Sequence, residues 1–189
     1  MNFDTRNYDT ALIGCGYWGT NIAKILSTIK KNRIVIFDEN RLNCITLKNR
    51  FSNNILIAKK LKNILTDKNI KNIILATPPE KNFKLLQLCI KNNKNVFIEK
   101  PGLKKYGDIN KIKKIKNKKI LMFGYIYLFN NYIKYLKKYV NNKKNGKILY
   151  IKFQRQNLGP IRSDVSASYD LSSHDLSIFL FLFDKFPKL

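Results

Sequence analysis

His174, the only histidine of the chain, stands four residues after Asp170 in Asp170-Leu171-Ser172-Ser173-His174-Asp175. A spacing of i and i+4 puts both residues on one face of a helix that begins near Asp170. An imidazole beside a carboxylate takes a hydroxyl proton near neutral pH. The same spacing also describes a capping aspartate followed by an unrelated histidine. Lys100 is a second candidate. It follows the apolar run Val96-Phe97-Ile98 and Glu99, and it precedes Pro101, whose ring fixes the local backbone. A lysine held beside a substrate hydroxyl relays a proton and stabilises developing negative charge. Read more plainly, it is one surface lysine in a lysine-rich chain. One histidine without a cluster of further ligands indicates no metal site.

A third group lies near the N-terminus, where Gly14-Cys15-Gly16-Tyr17-Trp18-Gly19 follows the apolar run Thr10-Ala11-Leu12-Ile13. In a G-x-G-x-x-G turn the first glycine allows the tight bend and the second lets a pyrophosphate approach the backbone. The third lets helix and strand pack closely. The helix N-terminus then faces the phosphates. Asp38 ends the next apolar run about 20 residues beyond the motif, where a ribose-binding carboxylate belongs. A carboxylate there repels a 2′-phosphate and favours NAD over NADP, and Arg41 nearby softens that preference.

These residues need elements to hold them. Thr10 to Ile13, Ile34 to Phe37, Ile55 to Ala58, Ile73 to Ala76, Val96 to Ile98 and Ile120 to Phe123 read as short buried strands. Between them, Tyr17 to Ile29, Glu39 to Phe51, Leu61 to Leu65, the stretch after Pro78-Pro79 and a lysine-rich stretch after Pro101 read as helices. The alternation predicts an α/β fold, a doubly wound parallel sheet with helices on both faces. Ligands of such sheets bind at the carboxyl ends of the strands. Gly14, Asp38, Thr77, Lys100 and Gly124 all sit just past predicted strand ends. After Gly124 the pattern changes. Asn130 to Val140 reads as a helix, Lys147 to Gln156 as a strand with rough alternation, Leu158 to Tyr169 as a loop and Leu171 to Phe183 as an apolar helix. The expected domains are therefore 1–124, a dinucleotide-binding unit, and 125–189, the start of a second α/β domain.

Composition narrows the class. Lys and Arg number 37 against 12 Asp and Glu, a net charge of +25 that by itself points to nucleic acid. The excess is confined to Lys30 through Arg155, mostly on segments that read as solvated helix faces. It accompanies abundant Asn and Ile, as an A+T-rich coding sequence produces. A basic nucleic-acid-binding protein is thus the third reading, and nucleic acid is not the expected partner. Three scattered cysteines with no CxxC argue against a disulfide framework or zinc site and fit a reducing cytoplasm. No signal peptide is visible. The apolar runs Ile120 to Phe129 and Leu176 to Phe183 are too short to span a bilayer.

Together, Gly14-Cys15-Gly16-Tyr17-Trp18-Gly19, Asp38, Ala76-Thr77-Pro78-Pro79, Glu99-Lys100-Pro101, Gly124-Tyr125 and Asp170-x-x-x-His174 resemble the Gfo/Idh/MocA oxidoreductases, named for glucose–fructose oxidoreductase and inositol dehydrogenase. The resemblance implies an N-terminal Rossmann domain, a C-terminal α/β domain, and hydride transfer between NAD, or NADP, and a hydroxyl-bearing carbon of a sugar, cyclitol or nucleotide sugar. It implies that Lys100, Asp170 and His174 are catalytic. His174 acts as general base, Lys100 polarises the reacting oxygen and Asp170 orients the site. It implies cofactor contacts at Gly14, Gly16, Tyr17, Trp18, Gly19, Asp38, Thr77, Pro78, Glu99 and Lys100, and places Arg155 and Asn157 on the substrate side. Two positions depart from the pattern, Asn82 where many relatives carry histidine and Gly102 after Glu99-Lys100-Pro101. The family's second sheet is larger than 125–189 can build. The second reading is accordingly a truncated or split chain that binds NAD and turns nothing over unless a second polypeptide completes the sheet; the expected partner is a homo-oligomer or a completing C-terminal segment. On that reading the apolar face of Leu176 to Phe183 lacks its cover.

Overall fold

The computed structural model describes residues 4–29, 33–51, 55–115, 118–156 and 166–185. The chain divides into two compact units, Met1–Gly124 and Tyr125–Leu189.

The first unit is built on six short strands: β1 (Thr10–Ile13), β2 (Ile34–Phe37), β3 (Ile55–Ile57), β4 (Asn72–Leu75), β5 (Asn95–Ile98) and β6 (Leu121–Phe123). All pair in parallel in the order β3-β2-β1-β4-β5-β6. This order reverses direction between β1 and β4, the switch point of a doubly wound sheet. The strands are joined by α1 (Tyr17–Thr28), α2 (Arg41–Phe51), α3 (Leu61–Thr66), α4 (Pro79–Lys91) and α5 (Tyr106–Lys113). Side chains alternate across a strand, so a sheet covered on both faces needs apolar residues at every position. Ala11, Ile13, Val35, Ile73, Leu75, Val96 and Ile98 enter one core with Ile64, Leu86 and Cys89 of the helices. Leu12, Ile34, Ile36 and Ile55 enter the other with Ala23, Cys44 and Leu47.

The register sets the carboxyl edge. Ile13 lies opposite Phe37 and Leu75, Leu75 opposite Ile98, and Ile98 opposite Phe123. The ladder runs one rung further. Gly14 N donates to Phe37 O at 2.9 Å, Ala76 N to Ile13 O at 2.8 Å, Glu99 N to Leu75 O at 3.0 Å and Gly124 N to Ile98 O at 2.9 Å. The residues that follow the strands are therefore level with one another.

Element ends differ from expectation for local reasons. The α2 helix begins at Arg41 rather than Glu39, because Asp38 and Asn40 accept backbone N–H groups of Asn40 and Leu42 and hold a turn there. The strand ends also move by a residue, β3 closing at Ile57 and β6 opening at Leu121.

The second unit contains a 3-10 turn at Ile126–Phe129, then α6 (Asn131–Asn141) and α7 (Ala167–Phe183). Asn130 caps α6, its side-chain oxygen accepting Tyr132 N at 2.8 Å. The α6 and α7 helices pack together, with Lys137 Nζ 3.0 Å from both carboxylate oxygens of Asp184 and above the Phe181 ring. The α7 helix starts four residues before the expected Leu171, because Ser166 Oγ accepts Tyr169 N at 3.3 Å and caps it. Asp170 consequently lies in the first turn and is not the cap. Of the expected apolar face, Ile178 and Leu182 are buried while Leu176 is exposed. The expected strand at Lys147 to Gln156 is not formed. It pairs with no strand among the described residues, and alternation alone does not make a strand whose N–H and C=O groups lack a ladder. The second unit thus shows helices only among the described residues.

Candidate functional site

The glycine turn is close-packed where the motif requires it and open where a ligand approaches. Gly14 has φ +94°, and a Cβ there would sit 2.5 Å from Ala76 O. A Cβ on Gly19 would sit 2.0 Å from Gly14 O, so the first turn of α1 lies against the loop. A Cβ on Gly16 meets nothing within 4 Å. Gly16 is the N-cap of α1 and supplies no capping side chain, and the first turn holds no acidic residue. The first N–H groups of a helix lack intrahelical acceptors and carry its positive dipole end, so this start suits a phosphate. Tyr17 and Trp18 are exposed beside it, their rings in edge contact at 5.7 Å.

Asp38 is held in place by two amides, Cys15 N donating to Oδ2 at 2.7 Å and Asn40 N to Oδ1 at 2.8 Å. A carboxylate offers about four lone pairs, so each oxygen retains capacity for a ribose hydroxyl. Beyond β4, Thr77 Oγ1 donates to Asn82 Oδ1 at 2.6 Å and Asn82 Nδ2 donates to Gly102 O at 2.7 Å. Asn82 is 1% exposed. It ties the Thr77-Pro78 turn to the turn containing Lys100 and the cis Lys100–Pro101 bond. Glu99 is half-buried beside Gly124, and burial pushes its carboxyl above the usual range against the opposing pull of Lys100. Gly14, Gly16, Tyr17, Trp18, Gly19, Asp38, Thr77, Pro78, Glu99 and Lys100 therefore belong to one edge of one sheet.

Arg155, Asp170 and His174 lie in the second unit. His174 is buried on α7, edge-on to Tyr127 at 4.9 Å between ring centroids and to Tyr125 at 6.5 Å. Asp170 stands one turn before it, half-buried. Arg155 grips Asp175 through Nε at 2.9 Å and Nη2 at 2.7 Å, and its guanidinium lies over the Tyr127 ring at 5.2 Å. The ion pair holds Arg155 above its ordinary pKa. Asn157 lies outside the described residues.

Two features escaped sequence reasoning. Asn82 was visible only as a departure, and its role as a tie between two loops depends on a contact across 20 residues. Cys15 and Cys44, which no sequence pattern links, meet with their sulfurs 3.7 Å apart. Among the described residues no three His, Cys, Asp or Glu side chains gather as metal ligands, and no helix is long and apolar enough to cross a membrane.

A switch-point sheet with a glycine turn, an open helix start and a following carboxylate defines a Rossmann-type dinucleotide cradle, and the residues present fit a dinucleotide. The family described as "Oxidoreductase family, NAD-binding Rossmann fold" matches residues 8–127, and the chain belongs to it, the Gfo/Idh/MocA family. A search of curated protein sequences finds no match. Among solved structures, the chain resembles an NAD-binding protein from Listeria innocua at 18% identity and TM-score 0.81, over 94% of this chain and 55% of that one. It resembles myo-inositol 2-dehydrogenase from Lactobacillus plantarum at 22% identity and TM-score 0.67, over 76% and 43%. It also resembles biliverdin reductase from Synechocystis sp. PCC 6803, solved with biliverdin and NADP+, at 17% identity and TM-score 0.75, over 96% and 60%. At such identities the likeness is one of fold. The chain spans about half the length of these proteins.

Proposed function

We propose that this chain binds NAD in its first unit and serves an oxidoreductase that moves a hydride between the nicotinamide and a hydroxyl-bearing carbon of a sugar, cyclitol or nucleotide sugar. The observation that carries the cofactor half is the carboxyl edge. There Gly14, Asp38, Ala76, Glu99 and Gly124 stand level around an uncapped helix start, with Thr77 one residue beyond Ala76. Gly16 leaves the approach open, the α1 amides take the phosphates, and Asp38 takes the adenosine ribose and disfavours a 2′-phosphate. The bound nicotinamide supplies the hydride acceptor or donor. Lys100 holds and polarises the reacting oxygen, His174 takes the hydroxyl proton, and Asp170 orients the site. Arg155, fixed by Asp175, and Asn157 serve the substrate side.

A second reading is favoured by one feature of the second unit. Residues 147–156 form no ladder, yet Leu149 is 91% exposed. A completing segment or a second copy of the chain covers this stretch in the working protein.

The test begins with thermal melting of the purified chain against NADH and NADPH. A saturable rise, larger for NADH, is expected, because a ligand that binds only the native state stabilises it. No rise with either nucleotide overturns the cofactor half. Where turnover of a sugar or cyclitol is found, Lys100→Ala lowers it by about 10² to 10⁴ while leaving the NADH response intact, as expected of an acid–base residue. Unchanged turnover removes Lys100 from the chemistry.

A further inference from the structure

We infer that Cys15 and Cys44 form a redox-sensitive dithiol that a hydroperoxide closes to an intramolecular disulfide beneath the β1–α1 loop, weakening dinucleotide binding. The consequence for binding, unlike the bond itself, rests on the cofactor reading above. Cys15 sits between Gly14 and Gly16, and Cys44 lies in the first turns of α2. Their sulfurs are 3.7 Å apart, both side chains lie in the same core, and neither is bonded to another cysteine. A disulfide needs about 2.05 Å, so the sulfurs close by under about 2 Å.

The pair is chemically unequal. The hydrogen bond shared with the Cys44 sulfur, then burial and the Asp38 carboxylate, hold the Cys15 thiol well above its usual range. The hydrogen bond that the two sulfurs share draws the Cys44 pKa down against burial, and Arg41 adds a smaller pull in the same direction. The Cys44 thiol gives up its proton as its sulfur attacks the peroxide, the O–O bond breaks, and Cys44 becomes a sulfenic acid while the displaced hydroxide takes up that proton and leaves as one water. The Cys15 sulfur then attacks the Cys44 sulfur, the S–O bond breaks, and the displaced oxygen leaves as a second water with the Cys15 proton. Two thiols are oxidised and one hydrogen peroxide is reduced to two waters. Cys89 is an internal control. It is 0% exposed, burial pushes its thiol up to about 12, and no second cysteine lies beside it.

The glycine loop has little slack to absorb the new bond. Gly19 and Gly14 are already in backbone contact, and the Cys15 amide is bonded to Asp38 at 2.7 Å. Drawing Cys15 toward α2 is therefore transmitted to the loop and to the carboxylate that serve the cofactor.

The test treats the full chain with hydrogen peroxide, blocks remaining thiols, and maps peptides by mass with and without a reducing agent. The expected product is a Cys15–Cys44 link that disappears on reduction, with Cys89 alkylated. Oxygen addition to either cysteine without a link, or a link involving Cys89, overturns the bond. In Cys44→Ser the link is lost and Cys15 stays reduced, whereas oxidation of Cys15 at the wild-type rate overturns the assignment of Cys44 as the attacking sulfur. The mapping on the unaltered chain decides the bond even if that variant does not fold. The NADH-dependent rise in melting temperature is expected to shrink in the linked chain and return on reduction. An equal response in both forms overturns the effect on binding. No response in the reduced chain instead overturns the cofactor reading and the effect that rests on it, and leaves the bond to be judged by its mass.

Discussion

Gly16→Ala and Gly19→Ala add the same methyl group three residues apart, and the structure assigns them opposite consequences. On Gly19 the Cβ falls 2.0 Å from Gly14 O, a backbone atom in a loop that is itself packed on Ala76. Helix α1 must withdraw or the loop must open, and overpacking of this kind costs about 3 kcal/mol. On Gly16 the Cβ meets nothing within 4 Å and the backbone lies at φ −72°, which alanine adopts freely. Alanine is a slightly poorer cap than glycine but restricts the unfolded chain, so the two effects offset to within about 0.5 kcal/mol. The methyl of Gly16→Ala therefore matters only when something comes close to the open face. If that something is a pyrophosphate, a tenfold loss of affinity corresponds to about 1.4 kcal/mol. With NADH at about 100 times its dissociation constant, the ligand contributes about 2.7 kcal/mol to stability, and the variant retains about 1.4 kcal/mol of it. Melting both variants with and without NADH measures each quantity. Gly16→Ala should melt like the parent without ligand and show about half its ligand response, while Gly19→Ala should melt lower with or without NADH. A Gly16→Ala chain with the full NADH response refutes the placement of the phosphates on this loop.

Two further predictions concern buried charge in the same unit. Lys94 is 5% exposed, and its Nζ donates to Asp67 O and Ile70 O at 2.5 Å each. Lys94→Met leaves two carbonyls without their donor and lowers stability by about 2 kcal/mol in urea unfolding; a change under about 0.5 kcal/mol would show that water replaces the ammonium there. Burial raises the Glu99 carboxyl above its unfolded value, so its stabilising contribution is present below the unfolded pKa and is lost as pH rises through the folded one. Melting temperatures taken from about pH 3 to about pH 7 should therefore fall for the parent relative to Glu99→Gln as pH rises. A difference that is flat or of opposite sign means that the pull of Lys100 outweighs desolvation.

Much of the first unit was legible because its strands are short and buried on both sides. Runs such as Ile34-Val35-Ile36-Phe37 have no polar position to confuse them, and parallel pairing demands that. The candidate cofactor residues were legible for a linked reason. Gly14, Asp38, Thr77, Glu99 and Gly124 each lie within two residues of a strand end, so finding the strands finds them. What stayed hidden depends on neighbours that sequence order does not reveal. Asn82 meets Gly102 only because α4 carries it back beside the loop after β5, and Cys15 meets Cys44 only because β1 and β2 are adjacent. Lys147 to Gln156 failed in the reverse sense, since its alternation is correct for a strand and the missing ingredient is a partner.

The same distinction says where the site's integrity resides. The rungs Gly14 N to Phe37 O, Ala76 N to Ile13 O, Glu99 N to Leu75 O and Gly124 N to Ile98 O are strand-ladder bonds, yet they set the height at which the candidate cofactor residues leave the sheet. A loop can be altered while those rungs hold its first residue in place. A one-residue slip of a strand would turn its side chains to the opposite face and carry the residue beyond it out of line in the same step. The alternation that sends Leu12 to one core and Ala11 and Ile13 to the other forbids that slip. Packing on both faces of the sheet is therefore what fixes the geometry of the cradle, although no residue that does the packing touches the cofactor in the reading given above.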